Sequence, residues 1–306
     1  MPLKLFTGLT NIVAGGRLAE AIKLLFCANL KPPQQEFRIQ IMIQAPNTKK
    51  IDLEWNDDDV VPAVVYPNLD FLFQQMLNLT LEEVGPNPGE LILDVGCGRA
   101  IDGARLWEKG AQVIGLEPSR VMIDRAKEHL GRSNARVALA QGIGENLPFK
   151  PHSFNKVMCK GALDHFLSPG QTMEEIARVL KPDGEMIISI ANFNNLGFRW
   201  GKRLYPVTKF LAPSLAKERK PWELPPDHKY KFDYPFLSNL VKQHFEIKKT
   251  KGISLFFGLP LWGSFLSRLP HSISYALLKT LDKLVRPFPS LADVILIECT
   301  PIYRSK

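Results

Sequence analysis

From residue 91 onward, short apolar runs alternate with stretches whose apolar positions recur every three or four residues. The runs at 91–95, 112–116, 135–140, 156–159 and 185–190 predict strands, and the stretches at 101–109, 119–130 and 171–180 predict helices. Further on, 235–243 predicts a helix, and 245–250 and 292–299 predict two last strands. Strands that alternate with helices imply an α/β fold, a doubly wound, mostly parallel sheet with helices on both faces and right-handed crossovers. Two long insertions, 191–233 and 251–291, interrupt it.

The pattern before residue 91 is different. Leu18, Ile22, Leu25 and Phe26 fall at helical spacing over 17–28, and Pro32 and Pro33 end that helix. Phe37, Ile39, Ile41 and Ile43, then a turn at 45–48, then Ile51, Leu53 and Trp55 predict a hairpin. A helix over 69–84 leads to the turn-forming run Gly85-Pro-Asn-Pro-Gly89. The expected organisation is an N-terminal accessory cap, residues 1–85, ahead of one main domain, residues 86–306.

Composition adds limits. With 306 residues, 45% hydrophobic and 23% charged, the chain has the balance of a globular protein that buries its own core. Cys27, Cys97, Cys159 and Cys299 lie far apart, with no C-x-x-C spacing and no nearby His pair, so neither a disulfide framework nor a metal centre is expected. A cytoplasmic location follows from that cysteine usage. The uncharged stretch 252–267 is 16 residues long and is broken by Gly258, Pro260 and Gly263, short of the ~20 apolar residues of a spanning helix. Residues 5–16 match a signal peptide poorly. The net charge of +8 is local: residues 196–251 hold 13 Lys and Arg against 5 Asp and Glu, which suits a phosphate, an acidic substrate, an anionic membrane surface or RNA.

The strongest chemical signal is the turn after the first strand, Asp94-Val-Gly96-Cys97-Gly98-Arg-Ala100, with Glu117 closing the second strand 19 residues after Gly98. Glycines let the backbone approach a nucleotide-like ligand, and the later acid accepts ribose hydroxyls. A dinucleotide fingerprint wants glycine where Ile101 stands, and the charge of Asp94 opposes a diphosphate while favouring a sulfonium or ammonium. A nicotinamide dehydrogenase is therefore disfavoured.

With these residues the chain resembles the class I S-adenosylmethionine (SAM)-dependent methyltransferases, within them the type 11 group of ubiquinone- and menaquinone-biosynthesis-like enzymes. The likeness runs over 65–195, through Val113–Ser119, Gly142–Phe149, Ser153–Val157 and Ile176–Gly184. It implies a Rossmann-like sheet whose last strand runs antiparallel, and SAM as cofactor. It also implies that Asp94, Gly96 and Gly98 line the methionine end, that Glu117 takes the ribose, and that Ile143, Gly144 and Glu145 flank the adenine. Cys97, Pro118 and Lys160, the last just after the fourth strand, belong to the same cofactor set. Ala100 replaces a usual glycine, Ile143 a common Asp that accepts from the adenine amino group, and Asn155 another Asp.

Methyl transfer from a sulfonium asks mainly for alignment and exclusion of water, with a general base where the acceptor is a hydroxyl or acidic carbon. His165 is the first candidate base, with Asp164 to orient it or to contact the substrate, because both follow the fourth strand at the edge where open α/β sheets bind ligands. His228, in the basic insertion, is the second. The insertions are expected to roof the acceptor site, the first basic with Phe193, Phe198, Trp200 and Tyr205, the second apolar with Phe256, Phe257, Trp262 and Phe265. That combination suits a small hydrophobic or amphiphilic acceptor, lipid-like and met at a membrane periphery. The alternatives are an RNA methyltransferase using residues 196–251, disfavoured because no N/D-P-P-aromatic sequence follows the fourth strand, and a SAM-binding protein without catalysis. Neither the oligomeric state nor the acceptor atom follows from the sequence.

Overall fold

The computed structural model describes residues 51–58, 65–211 and 220–302. The expected helix at 17–28 and the first hairpin arm lie outside them. Residues 51–58, expected to hold the second arm, carry no strand; they run as turns and bends.

Helix α1 (Pro67–Val84) opens with proline in its first turn and stops at Gly85, a left-handed residue whose N–H bonds Leu81 O. Then come β1 (Leu91–Val95), α2 (Ile101–Glu108), β2 (Gln112–Glu117), α3 (Arg120–Ser133), β3 (Val137–Gln141) and β4 (Phe154–Lys160). A 3-10 turn, Leu163–His165, leads to α4 (Pro169–Val179) and β5 (Leu180–Ala191). Helix α5 (Leu196–Leu211) lies in the first insertion. Helix α6 (Tyr234–Val241) precedes β6 (Phe245–Ile253), α7 (Trp262–Leu266) and α8 (His271–Val285) lie in the second insertion, and β7 (Val294–Pro301) ends the described chain.

The strands form one sheet in the order β3-β2-β1-β4-β5-β7-β6, with β7 antiparallel to both neighbours. β1 is buried along its whole length, as a central parallel strand covered on both faces must be. Leu91, Leu93 and Val95 pack with Met173 and Ile176 of α4 and Leu237 and Val241 of α6. The intervening Ile92 packs with Ala104 and Leu106 of α2, Ala126 of α3, and Leu81 and Val84 of α1. Helix α1, placed ahead of the main domain on sequence grounds, thus covers the sheet itself, and its Leu72, Met76 and Leu79 reach Ile253, Val294 and Leu296.

The strand order reverses between β1 and β4, where turns leaving two adjacent parallel strands diverge and open a crevice at their carboxyl ends. Asn155, without a reading from sequence, accepts from Leu91 N at 3.1 Å and from Lys181 Nζ at 2.9 Å, tying β1 to β4 below that crevice.

Candidate functional site

The β1–α2 turn forms the floor of the crevice. Gly96 has φ 77° and Gly98 φ 51°, and a Cβ on Gly96 would stand 2.4 Å from the Ala162 Cβ. A side chain there would fill the space between the β1 and β4 turns. Ala100, also left-handed at φ 55°, caps α2. Asp94 lies at the end of β1, buried, with its Oδ2 lacking a hydrogen-bond partner. Burial first, then Asp102 and Glu117, push its carboxyl well above the usual range, against the pull of Lys160.

Glu117 ends β2, also buried. Its Oε2 accepts from Gly98 N and its Oε1 from Ser119 N, both at 3.0 Å. These bonds fix the carboxylate beside the glycine turn, while burial raises its pKa against them. A buried carboxylate without a partner and a backbone cradle kept clear by glycine are what a cationic nucleoside requires, so Asp94, Gly96 and Gly98 fit the methionine end of SAM and Glu117 its ribose.

The other expected cofactor residues have protein partners of their own. Lys160 pairs with Asp102 at 3.1 Å, beside Asp94. Glu145 is buried, with its Oε1 accepting from Leu167 N at 2.7 Å and Ser168 N at 3.1 Å, so that oxygen supports the entry into α4. Ile143 is buried and bridges to Asn146, and the Pro118 carbonyl accepts from Gln141 Nε2 at 2.9 Å. Cys97 is buried with a raised thiol pKa, chiefly from burial, and acts as packing against Gly115.

The three expected proton-handling residues meet although one comes from a distant insertion. Asp164 and His165 lie in the 3-10 turn after β4, and the segment carrying His228 docks on it through Lys229 N to Asp164 O at 2.7 Å and Tyr230 OH to Leu167 O at 2.9 Å. The pairing differs from expectation. Asp164 Oδ2 is 2.8 Å from His228 Nδ1, whereas its Oδ1 is 3.9 Å from His165 Nε2. The two imidazoles meet edge to face at 4.4 Å, and burial lowers the His165 pKa.

Residues 51–58 are a part of the site that the sequence did not reveal. Ser119 Oγ donates to Trp55 O at 2.5 Å, and Arg120 N donates to Leu53 O at 2.8 Å. Asp57 binds Arg99 at 2.6 Å and also Arg125, while Trp55 Nε1 donates to Asp227 Oδ2 at 3.1 Å and its ring lies 5.4 Å from that of His165. The segment thus straps both glycine-edge turns to the His165 side of the crevice. No periodic signal marks such a segment, because it binds through backbone and charged groups.

Residues 93–188 match a family model described as a methyltransferase domain. Over that segment the chain is similar to the methyltransferase-domain family. The ubiquinone biosynthesis O-methyltransferase of Vibrio cholerae is 30% identical over 119 residues, 39% of this chain and 49% of that protein. The demethylmenaquinone methyltransferase of Clavibacter sepedonicus is 32% identical over 139 residues, 45% of this chain and 56% of that one. The methyltransferase likeness thus spans about half the length of these curated relatives. A chain in the complex between the Haloferax volcanii Trm112 methyltransferase activator and the putative methyltransferase superposes with TM-score 0.52 at 15% identity, over 78% of this chain and 92% of that one, a likeness of fold. The methyltransferase segment runs from inside β1 into β5 and contains Asp94, Glu117 and His165 but not His228.

Proposed function

We propose that the chain moves a methyl group from SAM to a small acceptor, hydrophobic or amphiphilic, bearing an ionisable hydroxyl or acidic carbon. The observation that carries this reading is the buried, partnerless Asp94 Oδ2 beside a turn kept open by Gly96. When bound, SAM supplies a methyl on a sulfonium, ready for in-line displacement. Asp94 holds the positive end by charge, Glu117 takes the ribose hydroxyls, and Ile143 covers the adenine by packing. The strap at Trp55 and Asp57 excludes water from the crevice, which strengthens each of those contacts. The acceptor enters from the β4 side, where Asp164, His165 and His228 face it and receive its proton, with Asp164 orienting His228.

The names of the Vibrio and Clavibacter relatives support a quinone-type acceptor. Surface chemistry supports delivery from a membrane periphery. Trp200, Leu204 and Val207 recur along one side of α5 and are exposed, and Phe210 is 85% exposed. Arg199, Lys202, Arg203 and Lys209 interleave with them and no acid does. Among the described residues no helix is long and apolar enough to cross a membrane.

Calorimetry with SAM, followed by label transfer from methyl-labelled SAM into fractionated lipid, polar-metabolite and RNA extracts, tests the reading. Binding and label in the lipid fraction are expected. SAM that does not bind, or label confined to RNA, refutes it. Flotation with anionic liposomes tests the α5 surface separately.

A further inference from the structure

Three donors of the kind that ligate metals converge where the 3-10 turn after β4 meets the segment around His228. One atom each from Asp164, His165 and His228 can be chosen so that all lie within 4.8 Å of one another. Donors bound to one transition-metal ion at about 2.0–2.2 Å stand roughly 3–3.5 Å apart. Asp164 Oδ2 stands 2.8 Å from His228 Nδ1 and the other oxygen, Oδ1, 3.9 Å from His165 Nε2, so each histidine faces its own oxygen of one carboxylate. Asp164 Oδ1 is buried with no hydrogen-bond partner, a deficit that an ion would remove.

The surroundings fit as well. The other His165 nitrogen, Nδ1, faces Asp227 Oδ2 at 3.7 Å, and that oxygen accepts from Trp55 Nε1. A carboxylate behind the imidazole, itself held by a donor, is the usual support of a ligating histidine. The His165 and His228 side chains are 27% and 19% exposed, so an ion can reach them and retain open positions.

We propose that Asp164, His165 and His228 bind a divalent first-row transition-metal ion. Two imidazoles and one carboxylate favour zinc, manganese, iron(II) or cobalt over calcium and magnesium. The inference rests on the reading that the acceptor meets the chain at this cluster, and it replaces direct proton transfer to these side chains with activation of the acceptor on the ion. An acceptor hydroxyl takes an open position on the ion; its O–H bond breaks as the oxygen–metal bond forms, the proton leaves to water, and the oxyanion becomes the nucleophile. The ligands are 63 residues apart, from His165 to His228, which is why no metal spacing marks them in the sequence.

The untagged full-length chain, stripped with chelator and titrated with Co²⁺, is expected to take up one equivalent and develop a visible absorption band that Zn²⁺ displaces. His165→Ala and His228→Ala should each weaken Co²⁺ binding by at least ~100-fold, and Asp227→Asn, which alters only the outer support, by ~10-fold. SAM affinity measured on the same variants reports that they fold. No Co²⁺ uptake by the native chain, or uptake unchanged in both histidine variants that still bind SAM, overturns the site. Methyl transfer that continues in chelator without bound Co²⁺ also overturns it and leaves the methyl-transfer reading intact. Co²⁺ bound in the predicted pattern without methyl transfer to any extract supports the site and overturns that reading instead.

Discussion

Asp94 carries two opposing requirements. Its carboxyl is buried without a partner for Oδ2, and burial, with Asp102 and Glu117 nearby, raises its pKa well above the ordinary value. Before a ligand binds it therefore keeps its proton at pH values where an exposed Asp has lost it. A sulfonium and an ammonium favour the ionised form, so binding SAM should expel that proton. The sign follows: below the raised pKa, affinity climbs as pH rises, by up to about tenfold per unit for one proton released, and levels off above it. Calorimetry in buffers of different ionisation heat should detect the release. Asp94→Asn should bind SAM more weakly at high pH and lose the slope. A native affinity that is flat in pH, with no proton released, would contradict this account of the site.

The elements meet through close backbone contacts that make sharp predictions. Gly197, in the first turn of α5, faces the second insertion so closely that a Cβ would lie 2.2 Å from the Phe257 carbonyl oxygen, and one on Gly201 2.7 Å from the Gly258 oxygen. The two insertions are locked together there, so Gly197→Ala should destabilise the chain by about 1–3 kcal/mol, as overpacking does, and lower the midpoint of urea unfolding. A midpoint equal to that of the native chain would mean the insertions are free to part. The strap is subject to a functional test. Asp57 bridges Arg99 and Arg125 on the turn and helix that flank the crevice proposed to hold SAM, so Asp57→Asn should weaken SAM binding about 2–10-fold with little loss of thermal stability. Equal SAM affinity in that variant would remove the strap from the site. At this scale the sequence was legible wherever burial imposes a period: β1, β2 and their helices follow from alternating apolar runs, and the glycine turn from its spacing. It was silent where elements bind through polar groups. Neither the hold of Ser119 on Trp55 nor the use of Glu145 to support α4 has a periodic trace, and the pairing of Asp164 with His228 over His165 is set by how a distant insertion docks.

Across the whole molecule, one buried acid joins both insertions to the sheet. Asp293 precedes β7; its carbonyl accepts from Asn192 N at 2.8 Å, its N–H donates to Ser254 O at 3.1 Å, and its Oδ2 accepts from Phe257 N at 3.0 Å. It thereby ties the end of β5, where the first insertion leaves, to the loop where the second begins. Burial pushes its carboxyl up to about 7, against the donors from Phe257 and Ser254. In the unfolded chain the same group titrates near ~4. Between those values the folded state holds a proton that the unfolded state has lost, so stability falls as pH rises from ~4 to ~7 and is constant in this contribution above that. The loss sums to about 4 kcal/mol, large against the 5–15 kcal/mol by which a typical domain is stable. Asp293→Asn cannot ionise and should lack this part of the slope, so its stability relative to the native chain should improve progressively as the buffer moves from pH 4 to pH 7. Urea unfolding of both proteins across that range measures the difference directly, and parallel pH profiles would show that the carboxyl at the junction of the two insertions is ionised in the folded chain throughout.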